Sequence, residues 1–170
     1  TSTASCSASR SVIYTGLHTH ETGQYGLHHD HHHFMTFDYV ETAPFLFNRA
    51  GYLTGIIGKV HIGPPDVYPW AVREESGTRD VAWMADRATA FFDAAKAGER
   101  PFFLTLGFID PHRDTTRSGF GNEVAHPEVE DRVFKPEDVS VPPFLSDLPE
   151  VRMELAEYYR SVYRLDQGVG

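Results

Sequence analysis

Apolar residues recur at three- and four-residue spacing at Val81, Met84, Ala85, Ala88, Phe91, Phe92 and Ala95. That is the stripe of an amphipathic helix, with Asp80 placed to cap it and Gly98 near its end. The same spacing returns at Met153, Leu155, Ala156, Tyr159, Val162, Tyr163 and Leu165, with Pro149 in or just before the first turn. Two short solid apolar runs, 52–58 and 101–108, have no polar face and predict buried strands. A further short helix is predicted over 42–51, where Thr42 can cap, Pro44 suits the first turn and Gly51 ends it. Near the start, Cys6-Ser7-Ala8-Ser9-Arg10 leads into Val12-Ile13-Tyr14 and stops at Gly16, a helix that opens at the cysteine. Helix, short loop and apolar strand in succession predict an α/β fold with a mostly parallel sheet.

The segments between these elements read as irregular. Residues 17–40 form a loop dense in Gly, His and aromatics, and the polar stretch 73–80, after Val67-Tyr68-Pro69-Trp70, forms a connection. Residues 114–149, rich in Pro, Asp and Glu, predict a long surface excursion of the kind that shapes specificity.

Composition narrows the function classes. The 170 residues suit one domain or part of one, and 41% apolar with 13% aromatic residues is enough for a real core. No run approaches the ~20 apolar residues of a membrane span. A net charge of -9 without a Lys/Arg cluster argues against nucleic acid as a partner. A locally positive pocket on such a chain can still take an anionic sugar. The chain begins Thr-Ser-Thr-Ala-Ser, without Met or signal peptide, and stops where a helix hands over to another element. It is expected to be an internal fragment of a longer protein, so its ends give no compartment.

Four clusters carry candidate chemistry. Cys6 is the only cysteine, so no disulfide forms within the chain. At a helix N-terminus its sulfur, or whatever replaces it, faces N–H groups that favour anions, and Arg10 adds a positive charge one turn on. An inert buried thiol stays open on these residues alone. Lys59 and His61 follow the first strand at its C-terminal end, where open α/β sheets bind ligands, and alternation sends both to one side. Such a pair can hold an anion and move a proton, or be ordinary surface residues. Asp110-Pro111-His112-Arg113 follows the second strand in the same way, as a site or as a solvent turn. His28, His29, His31, His32 and His33 crowd six positions. Adjacent histidines point in different directions, which favours a solvated or substrate-facing loop over a dedicated metal site.

Cys6-x-Ala8-x-Arg10, continued by Thr15-Gly16-Leu17-x-x-His20-x-x-Gly23, resembles the sulfatase signature, with Ala8 where its commonest form has Pro. Gly55-Ile56-Ile57-Gly58-Lys59-x-His61-x-Gly63-Pro64 is similar to the Gly-Lys-x-His motif of the same family. Gly26-Leu27-His28-x-Asp30-x-His32-His33-Phe34 and Phe108-x-Asp110-Pro111-His112-Arg113 resemble its heparan N-sulfatase (sulfamidase) branch. Tyr158-x-x-x-Val162-x-x-x-Asp166-x-x-Val169-Gly170 also resembles the family. The resemblance runs over residues 5–170 and is weakest across 114–149.

The resemblance implies part of an alkaline-phosphatase-like sandwich: residues 1–170 would be a fragment of the N-terminal sulfatase catalytic domain, an N-terminal to middle part of it. It implies a hydrolase that removes the N-sulfate of N-sulfoglucosamine in heparan-type glycosaminoglycan. An O-sulfatase, or a phosphonate or phosphate ester hydrolase of the same superfold, is the first alternative. A catalytically dead or His-rich metal-binding domain is the second. It further implies that a formylglycine-generating enzyme oxidises Cys6 to formylglycine, whose hydrate attacks sulfur and then loses a proton, to His61, as sulfate leaves. Arg10 and Lys59 would orient the nucleophile and offset charge on the sulfuryl oxygens, and His112 would protonate the departing nitrogen or oxygen, or bind the sulfo group. Lys59, His112, Arg113, Asp110 and His32 would contact substrate. Calcium is implied, with residue 6 as the one ligand in this chain, because the family's Asp pair and Asp-Asn pair lie upstream and downstream of it. The piece alone is therefore expected to be inactive. A secreted, periplasmic or lysosomal location is implied, and a homodimer stays open.

Overall fold

The computed structural model describes residues 3–29, 31–116 and 119–170; Asp30, named above, lies outside them. The chain divides into two compact units, Thr1–Ser76 with Ala90–Gly107, and Gly77–Thr89 with Phe108–Gly170.

The first unit is built on a three-stranded parallel sheet in the order β2-β1-β3. Its strands are β1 (Leu53–Gly58), β2 (Val72–Glu75) and β3 (Phe102–Gly107). Gly58 pairs with both Glu75 and Gly107, so the three strands end level. The solid apolar run of β1 is explained by its central place, buried from Thr54 onward. β2 corrects the expectation of a polar connection at 73–80. Its Val-Arg-Glu-Glu alternates between half-buried and exposed, a charged pattern suited to a sheet edge.

Helix α1 (Cys6–Thr15) ends as its glycine requires: Gly16 sits at φ 71 and donates its N–H to Val12 O. A four-residue turn, α2 (Thr19–Thr22), interrupts the expected 17–40 loop. Helix α3 (Ala43–Arg49) starts after Thr42, but the Thr42 hydroxyl does not cap it; Oγ1 donates instead to Val67 O at 2.6 Å. Tyr14, Ile56, Val60, Ile62, Val67, Tyr68 and Trp70 form the core, with Phe103 packed on it. Tyr14 and Trp70 meet edge to face at 5.3 Å, and Trp70 stacks on Phe103 at 5.5 Å. These contacts tie α1 to the sheet.

Helix α4 (Val81–Ala97) contributes residues to both units. Its apolar stripe is buried at Val81, Met84, Ala88, Phe91 and Ala95. Asp80 caps it as expected, Oδ1 accepting from the N–H groups of Ala82 and Trp83. In the second unit α5 (Pro149–Val169) carries Pro149 in its first turn. Between β3 and α5 a single 3-10 turn (Pro136–Asp138) is the one regular element among the described residues. Side chains of α5 hold that stretch: Arg152 donates to Pro136 O and Val139 O, Arg160 pairs with Asp131, and Gln167 donates to Glu130 O. No helix of the described residues is long and apolar enough to cross a membrane.

Candidate active site

Lys59 leaves β1 where two backbones nearly touch. Gly58 takes φ 87, and the Lys59 N–H donates to Gly107 O at 2.7 Å. A Cβ on Gly107 would stand 2.3 Å from Lys59 O, so only glycine admits this approach. Beyond it, Val60 and Ile62 sink into the core at 1% exposure each, which turns Lys59 and His61 to the other side. Lys59 is itself only 8% exposed, and its Nζ donates to Cys6 Sγ at 3.5 Å. The structure thus brings together two residues 53 positions apart.

Cys6 is the first residue of α1 and is half-buried. Ala8, fully buried, stands two residues on, in the first turn, where no intrahelical N–H bond is due. Proline is tolerated there for the same reason, so Ala8 leaves the helix start intact. Arg10 lies near enough for its charge to act on His61.

His61 adopts φ 44, a left-handed conformation that a bulky residue holds only when its surroundings impose it. Its buried Nδ1 has no hydrogen-bond partner among the described residues. Burial, then the positive charge of Lys59, then His29, Arg10 and His28, push its pKa down to about 4. The ring is therefore neutral at neutral pH and can accept a proton. His29 meets it at 4.8 Å and His28 at 6.5 Å between ring centres. His28 is pushed below its ordinary value, first by burial and then by His29. Ser7 Oγ in α1 accepts the His28 backbone N–H at 3.1 Å, which fastens the histidine loop to the helix that carries Cys6. The His run is thereby split. His28 and His29 join His61, whereas the exposed His32 faces His31 at 4.2 Å. The sequence named His28 and His29 only as members of the run and singled out His32; the contact with His61 falls to His28 and His29.

The arrangement offers a cation to hold an electron-rich group at position 6 and a neutral imidazole within range of that cation's charge. It does not by itself fit calcium, which takes about six to eight oxygen ligands. No group of three or more His, Cys, Asp or Glu able to hold a metal occurs among the described residues.

The remaining sequence candidates lie in the second unit. Asp110 was expected to contact substrate. Its side chain is 1% exposed and both oxygens are committed to guanidinium groups, which corrects that expectation. Arg164 donates Nε to Oδ2 at 2.6 Å and an Nη to Oδ1 at 2.9 Å, and Arg79 also pairs with Oδ1. His112 is exposed, and its Nδ1 lies 2.6 Å from Arg113 O. A carbonyl only accepts, so the proton sits on Nδ1 and Nε2 carries the lone pair of the neutral ring. Arg113 pairs with Glu154 and lies over the Phe120 ring at 5.3 Å.

A sulfatase family model matches residues 1–170. The chain is 41% identical, over an alignment of 189 residues, to the N-sulphoglucosamine sulphohydrolase of Homo sapiens. That alignment takes in 100% of this chain and 37% of the human protein, so the chain spans well under half the length of this relative.

Proposed function

Because this chain belongs to the sulfatase family, we propose that the full-length protein removes sulfate from a sulfated sugar, by preference the N-sulfate of N-sulfoglucosamine. The reading is supported by the name and identity of the human relative. The observation that carries it is the Lys59 ammonium 3.5 Å from Cys6 Sγ, with its charge also acting on a neutral His61.

In this reading Cys6 is converted by a formylglycine-generating enzyme, and its sulfur marks where the formylglycine oxygens would stand. Hydrated formylglycine supplies a hydroxyl nucleophile for sulfur and a second hydroxyl for release. Lys59 and Arg10 hold the developing negative charge on the oxygens around sulfur, a preorganised contribution that water does not match. His61 accepts the proton that position 6 gives up. The S–N bond breaks with the electron pair going to nitrogen, and His112 in its protonated form gives that nitrogen a proton. Arg113 and His32 contact the sugar; Asp110 serves from inside, by holding its arginines. Calcium belongs to the proposal through residue 6 as one ligand, with the oxygen ligands outside this chain. A secreted, periplasmic or lysosomal compartment, heparan-type glycosaminoglycan as substrate, and a homodimer complete it.

The test is sulfate release by the full-length protein, with calcium present, from N-sulfoglucosamine and from a 6-O-sulfated glucosamine. Preference for the N-sulfate is expected. Preference for the O-sulfate keeps the family chemistry and overturns the substrate. If neither is turned over, the mass of the Cys6 peptide decides between an enzyme that has not been matured and a catalytically dead member.

A further inference from the structure

Arg79 lies in a stretch that sequence reads as a plain connection, yet its guanidinium closes the turn that carries His112. One Nη donates to Asp110 Oδ1 and the other to His112 O at 2.8 Å, while Nε lies 4.0 Å from Asp114 Oδ2. The three fall on alternate residues of the turn, so one planar group hydrogen-bonds its start and its middle and sets its charge near its end. The group is itself held. Its side chain is 10% exposed, and the next residue, Asp80, caps α4. Gly121 packs so closely that a Cβ there would lie 2.8 Å from Arg79 Nε. From the other side Arg164 binds both oxygens of Asp110 and also donates to Phe120 O and Asn122 Oδ1.

We propose that Arg79 is a positioning residue for His112. The inference rests on the reading of His112 as the proton donor to the leaving group. Arg79 does not touch the reacting atoms. It fixes the carbonyl of His112, and with it the backbone from which the imidazole projects. A general acid contributes about 100- to 10,000-fold only when its proton is within reach of the departing atom, and a displacement of about 1 Å can cost on the order of 100-fold. Lysine in place of Arg79 keeps the buried positive charge beside Asp110. It cannot span Asp110 Oδ1 and the His112 carbonyl with one planar fork.

The experiment uses the full-length protein with N-sulfoglucosamine as substrate and four variants: Arg79→Gln, Arg79→Lys, His112→Ala and Arg79→Gln with His112→Ala. Arg79→Gln is expected to lower kcat by roughly 10- to 100-fold with KM little changed. Arg79→Lys is expected to restore the denaturation midpoint while kcat stays low. In the His112→Ala background Arg79→Gln is expected to cause no further loss, because the group it positions is gone. Equal losses in both backgrounds would mean that Arg79 only keeps the protein folded, and would overturn the proposal. So would recovery of both stability and kcat by Arg79→Lys. A His112→Ala variant with wild-type turnover would overturn the role of His112 itself, and the positioning role with it.

Discussion

Replacing Gly107 by alanine tests whether the site depends on the near contact of two backbones. The added Cβ would lie 2.3 Å from Lys59 O, 3.0 Å from Lys59 N and 3.1 Å from Lys59 C. All three are main-chain atoms, so no side chain can rotate away. Restoring an ordinary carbon contact requires a displacement of about 1 Å. The hydrogen bond from the Lys59 N–H to Gly107 O, 2.7 Å long, is strained or lost in the process. Overpacking of this kind costs about 1–3 kcal/mol, and the weakened hydrogen bond adds about 0.5–1.5 kcal/mol. The larger effect is on chemistry, because Lys59 moves off position 6 and a 1 Å misplacement costs on the order of 100-fold in turnover. The assay is kcat for sulfate release together with the denaturation midpoint, in the full-length protein. Gly51→Ala is the control: its φ is 86 but nothing stands within 4 Å of its added Cβ. It should lose about 1 kcal/mol through backbone strain alone and keep its kcat. If Gly107→Ala stayed within about threefold of wild-type kcat with an unchanged midpoint, the backbone approach would not be what sets Lys59.

Lys59→Met should lower kcat by roughly 100- to 1,000-fold, the scale of losing one preorganised charge contact; an unaffected rate constant would remove Lys59 from the machinery. His61 has its folded-state pKa lowered from 6.5 to about 4, so the unfolded chain takes up that proton first as pH falls. Its contribution to stability is complete above pH 6.5 and is lost as pH drops from there toward 4. His61→Gln should flatten the denaturation midpoint against pH across that window, and an identical profile in both proteins would refute the assignment. Asp110→Asn leaves Arg79 and Arg164, 10% and 8% exposed, without their shared anion. A loss of about 3–5 kcal/mol in chemical denaturation is expected, and a loss below about 1 kcal/mol would mean that solvent already screens the pair.

Elements with long periodicity were legible from sequence because their burial is one-sided and repeated. The stripe from Val81 to Ala95 and the run through Ile56 and Ile57 each contain enough positions to average out local exceptions. β2 escaped because four residues at a sheet edge, three of them charged, carry no apolar signal; what makes them a strand is pairing with β1. Thr42 shows the converse. Its place as the residue before α3 was readable, but its hydroxyl was drawn to Val67 O by tertiary contact.

The same division runs through the candidate residues of each unit. Lys59 and His61 could be read because buried Val60 and Ile62 alternate with them, which is local information. Arg79 and Arg164 could not, since their meaning comes from Asp110, 31 and 54 positions away. Asp110 was read as a substrate contact, whereas its side chain is turned inward. A lone carboxylate after a strand reads equally well as a ligand contact or as a buried anchor, and only the arrival of two guanidinium groups decides between them. Asp110-Pro111-His112 is then a turn with one end held inward by charge and an exposed imidazole two residues later. The imidazole can stay exposed and still be fixed, because its backbone is held by a residue that never needs to meet the substrate. That is why a sequence motif marks this turn while the arginine that would govern it lies outside the motif.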